Sequence, residues 1–124
     1  MKEQPLQTTV LYKLINMNND IIEKGKTLGI VAYLHLLGAI IAIVQNNENK
    51  NPFVSFHIRQ GLGLTLVSML LGIPVGGFDN WFISGSFYAF FFILWSFSII
   101  GAIQGKMNLI PVIGPFFQKT FRTL

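Results

Sequence analysis

The 124-residue chain has no cysteine and very little charge. Without thiols it can form no disulfide, offers no thiolate nucleophile and has no Cys ligand for a metal. Charged side chains make up 11% of the residues, against about a quarter in a soluble domain. The shortage is local. Between Lys50 and Lys106, fifty-five residues carry only Arg59 and Asp79. Catalytic sets are absent too. Glu23, Glu48 and Asp79 stand far apart, so paired-carboxylate acid–base chemistry has no support. Two His without paired carboxylates make a poor metal site. Gly61-Leu62-Gly63 and the glycines from 72 to 77 lie in apolar sequence, outside any strand–loop–helix phosphate site. We therefore expect no enzyme, no cofactor and no metal. No basic cluster on one face of a folded domain suggests nucleic acid.

What fills the chain instead is apolar: 52% of residues, with 12 Phe, and a mean hydropathy of +0.55. These values point to an all-α integral membrane protein. Residues 1–7 read as disordered. Thr8 or Thr9 caps an amphipathic helix to about Lys24, with Gly25 as its stop. Residues 1–26 thus form an interfacial segment; the alternative is a helix packed on the protein's own soluble face. The first apolar run starts near Leu28, too late for an ordinary signal peptide, and is expected to be retained.

The membrane domain, 27–124, is expected to have three spans. The first covers 28–44, roughly 26 Å of helix, with His35 near its middle. A solvated loop follows, and Pro52 forbids continuation of the helix. The second span, 58–78, starts amphipathically near Phe53, and Pro74 can kink it. A Gly76–Asn80 turn leads to the third, 81–103, with Trp81 at headgroup level and Trp95 inside the bundle. Pro115 opens a short interfacial helix in the tail, 106–124. Three spans put the two tails on opposite sides, with four basic residues on one side and five on the other. We expect the 45–60 loop and the last tail to face the cytoplasm.

Lipid tails are as apolar as leucine, so the spans need close backbone approach to associate. Gly61, Thr65, Ser68, Gly72 and Gly76 form a stripe of small residues down the second span. This stripe predicts a central second span and disruption by Gly72→Leu. His57, Gln60 and Gly61 share a helix face, while Arg59, two residues and about 200° on from His57, points elsewhere. Two readings stand side by side. In one, His57, Arg59 and Gln60 form a recognition or gating site at the membrane surface. In the other, His57 and Gln60 bond backbone groups of the final Pro-Gly segment and Arg59 snorkels to phosphates. His35 is expected to be a neutral imidazole bonded across helices, to Ser68 or Ser96, rather than a proton relay.

The run Asn51-Pro52-Phe53-Val54-Ser55-Phe56-His57-Ile58-Arg59-Gln60-Gly61, followed by two apolar segments, Gly105-Lys106 and Pro111-Val112-Ile113-Gly114, carries a resemblance. Residues 28–121 resemble a family of small bacterial membrane proteins related to a membrane component of the chloroplast inner-envelope protein-import translocon. The import role belongs to the organelle members. His57, Arg59 and Gln60 match the family's Phe-His-x-Arg-Gln pattern. The resemblance implies a scaffold or translocation-related subunit of the bacterial plasma membrane. Partners are then the bilayer, a second copy or other membrane proteins. The alternative is a small transporter or channel subunit whose pore forms on oligomerisation. With the 45–60 loop and the tail on one side, His57 or Gln60 is expected to contact the backbone near Pro111–Gly114.

Overall fold

The computed structural model describes residues 19–124. The expected capped helix and disordered start before residue 19 lie outside the described residues. Among these there are five helices and no strand. Helix α1 occupies residues 19–31, α2 His35–Asn46, α3 Pro52–Gly76, α4 Trp81–Ile103 and α5 Gly114–Thr120.

Helix α3 is the axis, and α2, α4 and α5 all pack on it. Its start is written in the sequence. The Asn51 side chain accepts from Phe53 N at 2.9 Å and Val54 N at 3.3 Å, with Pro52 in the first turn. Asparagine satisfies the orphan donors there, and proline has none to satisfy. Pro74 falls in the last turn, so α3 ends two residues beyond it. Asn80 then caps α4 through Phe82 N, and α4 returns antiparallel to α3, with Ser98 beside Gln60 and Phe87 nearest Gly72.

The expected first span is not one helix. Gly25 does not stop α1, which runs through it to residue 31. The last bonds of α1 then tighten to Tyr33 N→Ile30 O and Leu34 N→Val31 O, and His35 takes φ +67. This left-handed residue reverses the chain. Contacts along α3 fix the direction of each arm. A side chain at Gly25 would meet Asn51 and Val54, one at Gly29 would meet Phe53 and His57, and the Ala32 carbonyl lies against Gly61. Helix α1 therefore runs parallel to the start of α3. Helix α2 runs back, with Ala42 packed among Val54 and Ile58 and Asn46 bonded to Ser55. The 28–44 stretch thus turns round beside Gly61 instead of reaching the far end of α3.

The tail makes a second reversal on α3. Lys106 lies beside His57, and Ile110 packs with Leu64, Phe117 and Val67. Ile113 N donates to Pro111 O at 2.8 Å across Val112, whose φ is +69. Helix α5 then descends past Gly63 and Gln118 bonds the Phe56 carbonyl, so the chain ends beside Ser55 and Lys50.

Among the described residues, α3 and α4 alone continue beyond these two reversals. Both are long and apolar enough to cross a membrane, and only 28% and 22% of their most apolar stretches is buried. The core helix of a soluble protein would be mostly buried. Ile73 is 78% exposed and Trp81 89%. Two clefts flank this hairpin. One, of about 960 Å³, runs beneath the α1–α2 turn between Thr65, Ser68 and Gly72 of α3 and Phe87, Phe91 and Trp95 of α4. The other, of about 580 Å³, lies beneath Pro111–Ile113.

Candidate functional site

The polar residues of the Phe-His-x-Arg-Gln run sit where the two reversals meet α3. Positions 57 and 60 are one turn apart and share its buried face, and both side chains are fully enclosed. His57 Nε2 lies 2.9 Å from the Lys106 carbonyl and Nδ1 lies 2.6 Å from the Tyr33 hydroxyl. A carbonyl only accepts, so Nε2 carries the proton and Nδ1 accepts from Tyr33 O–H. A neutral imidazole thereby meets both partners. Three aromatic edges, from Tyr33, Phe53 and Phe56, enclose the ring.

Gln60 joins more of the chain than any neighbour. Its Nε2 donates to Asn108 O at 3.0 Å, to Tyr33 OH at 3.0 Å and, more distantly, towards Ser98 Oγ at 3.3 Å. Its Oε1 accepts from Ile110 N at 2.9 Å. The backbone partners fix the amide's orientation, since Ile110 N–H needs an acceptor and Asn108 O needs a donor. The Gln60 N–H on Tyr33 oxygen leaves the tyrosine proton for His57. One chain of bonds therefore runs from the tail through Gln60, Tyr33 and His57 back to the tail. Trp95 adds α4 to it, donating to the Tyr33 carbonyl at 2.7 Å. That carbonyl is free to accept because the helix is broken there.

Arg59 points away from this cluster, as its spacing predicts. Nε donates to Phe121 O at 3.2 Å, one terminal nitrogen to Arg122 O at 2.8 Å and the other to Gln118 Oε1 at 3.3 Å. Its guanidinium caps the carbonyl end of α5, where a cation is favoured. A third cluster closes the base. Asn46 accepts from Asn51 N and donates to Ser55 Oγ, and Ser55 donates to Leu124 O at 3.1 Å. Asn51 also donates to Ile21 O of α1 at 2.7 Å.

Among the described residues no buried side-chain nitrogen or oxygen lacks a partner, and no cluster of three His, Asp or Glu could hold a metal. The hydrogen bonds of His57 and Gln60 to the tail fall on residues 106–110, just before the Pro111–Gly114 run, and Gln60 Oε1 also faces Gly114, 3.4 Å from where a Cβ there would sit. His35 does not lie in the middle of a helix. It is exposed at the α1–α2 reversal, and Ser68 bonds Thr65 O of its own helix. The small-residue stripe divides. Gly61 receives the Ala32 backbone, whereas a side chain at Gly72 would meet only Phe87, at 3.9 Å, and one at Gly76 nothing within 4 Å. The closest glycine contact on α3 after Gly61 is Gly63, against the Phe117 ring, which the stripe does not include. Tyr33, Ser98 and Asn108 complete the cluster and carry no sequence signal, because only the fold brings them to Gln60.

No family model, curated protein or solved structure matches the chain.

Proposed function

We propose that the chain is an integral protein of the bacterial plasma membrane and acts as a non-catalytic scaffold in a translocation-related assembly. In this reading α3 and α4 cross the bilayer, and the α1–α2 pair and the tail enter part-way and return. The observation that carries it is the joint hold of His57 and Gln60 on both returning segments. Backbone turned back at membrane depth survives only where protein satisfies its polar groups, and this cluster does so. From Arg59 to Gly76, α3 rises about 26 Å, close to a hydrocarbon core of about 30 Å. Every Lys and Arg among the described residues lies on α1, on the α2–α3 loop, at Arg59 or on the tail, and the far turn carries only Asp79. With that bias the base faces the cytoplasm. Three spans would leave α1 on the other side, a topology the reversal at His35 argues against.

The likeness of the 51–61 run to the import-translocon relatives supports the translocation role. The alternative, a pore formed on oligomerisation, is weakened by the clefts, since among the described residues no Lys, Arg, Asp, Glu or His lines either one. The test is photocrosslinking in native membranes from Ser68 and Leu71, one in each cleft. Adducts to a polypeptide crossing the membrane are expected. Adducts confined to lipid or to a second copy would remove the translocation role.

A further inference from the structure

The tail from Gly105 to Leu124 contains no Asp or Glu, and it displays both its cations and some of its apolar side chains outward. Lys106, Lys119 and Arg122 are exposed. None of these three side chains makes a hydrogen bond or ion pair among the described residues, where the one salt bridge is Lys26 with Glu23. Beside them Val112 is 90% exposed and Phe116 62%. In α5 Phe117 turns inward onto Gly63 while Phe116 and Lys119 face out. These apolar groups lie on the segment that returns beside α3, while Lys106 sits at the level of His57 and Arg122 at that of Arg59, towards the base. Such an arrangement matches one leaflet of a bilayer, with acyl chains against the apolar residues and phosphates against the cations.

We propose that Lys106, Lys119 and Arg122 form a docking surface for anionic phospholipid headgroups in the leaflet that the tail enters. The inference rests on the membrane reading above. Each cation held near an anionic surface favours it about fivefold. Arg59 takes no part, because its guanidinium is committed to the carbonyls that end α5. The acidic residues nearest the base, Asp20, Glu23 and Glu48, lie on α1 and the α2–α3 loop, outside the tail.

The experiment uses the full chain in phosphatidylcholine vesicles doped with spin-labelled phosphatidylglycerol or phosphatidylcholine. The immobilised fraction of each lipid is read by electron paramagnetic resonance. Wild type is expected to select phosphatidylglycerol. The Lys106→Gln/Lys119→Gln/Arg122→Gln variant should lose about tenfold or more of that selectivity. Lys106→Arg/Lys119→Arg/Arg122→Lys should keep it, and Asp79→Asn, at the far turn, should leave it unchanged. Equal selectivity in wild type and the Gln variant would overturn the proposal, as would displacement of the labelled lipid by glycerol phosphate or duplex DNA. A Gln variant that misfolds would also overturn it, since these side chains would then be structural. A wild-type chain that alkaline carbonate strips from the vesicles would overturn the membrane reading itself, a result separate from lost selectivity.

Discussion

Gln60 holds two parts of the backbone with one amide. Gln60→Leu keeps much of the volume but leaves Ile110 N–H and Asn108 O without their partner. A buried polar group left unpaired costs about 1–3 kcal/mol, so a loss of roughly 2–5 kcal/mol is expected. Tyr33→Phe removes the proton donor to His57 Nδ1 and should cost about 1–2 kcal/mol. Unfolding in detergent by graded sodium dodecyl sulfate measures both, and wild-type midpoints for the two variants would deny the cluster its structural role. The glycines of α3 separate in the same assay. A methyl at Gly63 must displace the buried Phe117 ring, so Gly63→Ala should destabilise by roughly 1–3 kcal/mol. At Gly72 a methyl meets only ordinary contact, and Gly72→Ala should be neutral or gain up to about 1 kcal/mol of helix propensity. Gly72 thus shows none of the close backbone approach on which the expected disruption by Gly72→Leu rests.

At the scale of elements, the two reversals depend on unusual backbone. Val112 takes φ +69 in a three-residue turn, a conformation that a β-branched residue rarely adopts. His35 takes φ +67. Left-handed backbone costs an L-residue roughly 1–2 kcal/mol, and both side chains are exposed, so little packing is lost by removing them. Val112→Gly should therefore stabilise the fold by about 1–2 kcal/mol, seen as a higher unfolding midpoint, and His35→Gly should stabilise it by less. A drop for Val112→Gly would mean that its exposed side chain contributes more than its backbone costs. These turns also mark how much was legible in the sequence. The bounds of α4 follow directly from Asn80 and the apolar run, and the start of α3 follows from Asn51-Pro52. The break at Ala32–Leu34 has neither glycine nor proline to announce it. It forms because Tyr33 is drawn to His57 and Gln60, its carbonyl to Trp95, and the Ala32 carbonyl to the gap at Gly61. All of those partners are distant in sequence, whereas hydrophobic run length sees only neighbours. The spacing of His57, Arg59 and Gln60 did give their separate directions. It could not give Ser98, Asn108 or Tyr33.

For the whole molecule, the two topologies make opposite forecasts, and the cysteine-free chain suits the test. Single cysteines at Asp20, Asn47, Asn80 and Thr120 can be labelled from either side of sealed vesicles. The proposed arrangement has Asp20, Asn47 and Thr120 reacting from one side and Asn80 from the other. Three spans would pair Asp20 with Asn80, and that pairing would remove the partial-depth reading of α1 and α2. The reversals have one more effect. Among the described residues, α3 at the level of Gln60 is ringed by Tyr33 at the α1–α2 turn, Ser98 of α4 and the 106–110 segment of the tail, whereas at the level of Gly72 α3 and α4 alone remain. In a bilayer the described residues would form a wedge, displacing more lipid from one leaflet than from the other. Its broad end at the base, it should enrich where that leaflet is stretched, on the convex face of a tightly curved membrane. Its partition between small and large vesicles, inserted with the base outward, measures the asymmetry; equal density on both would show that lipid packing levels the taper.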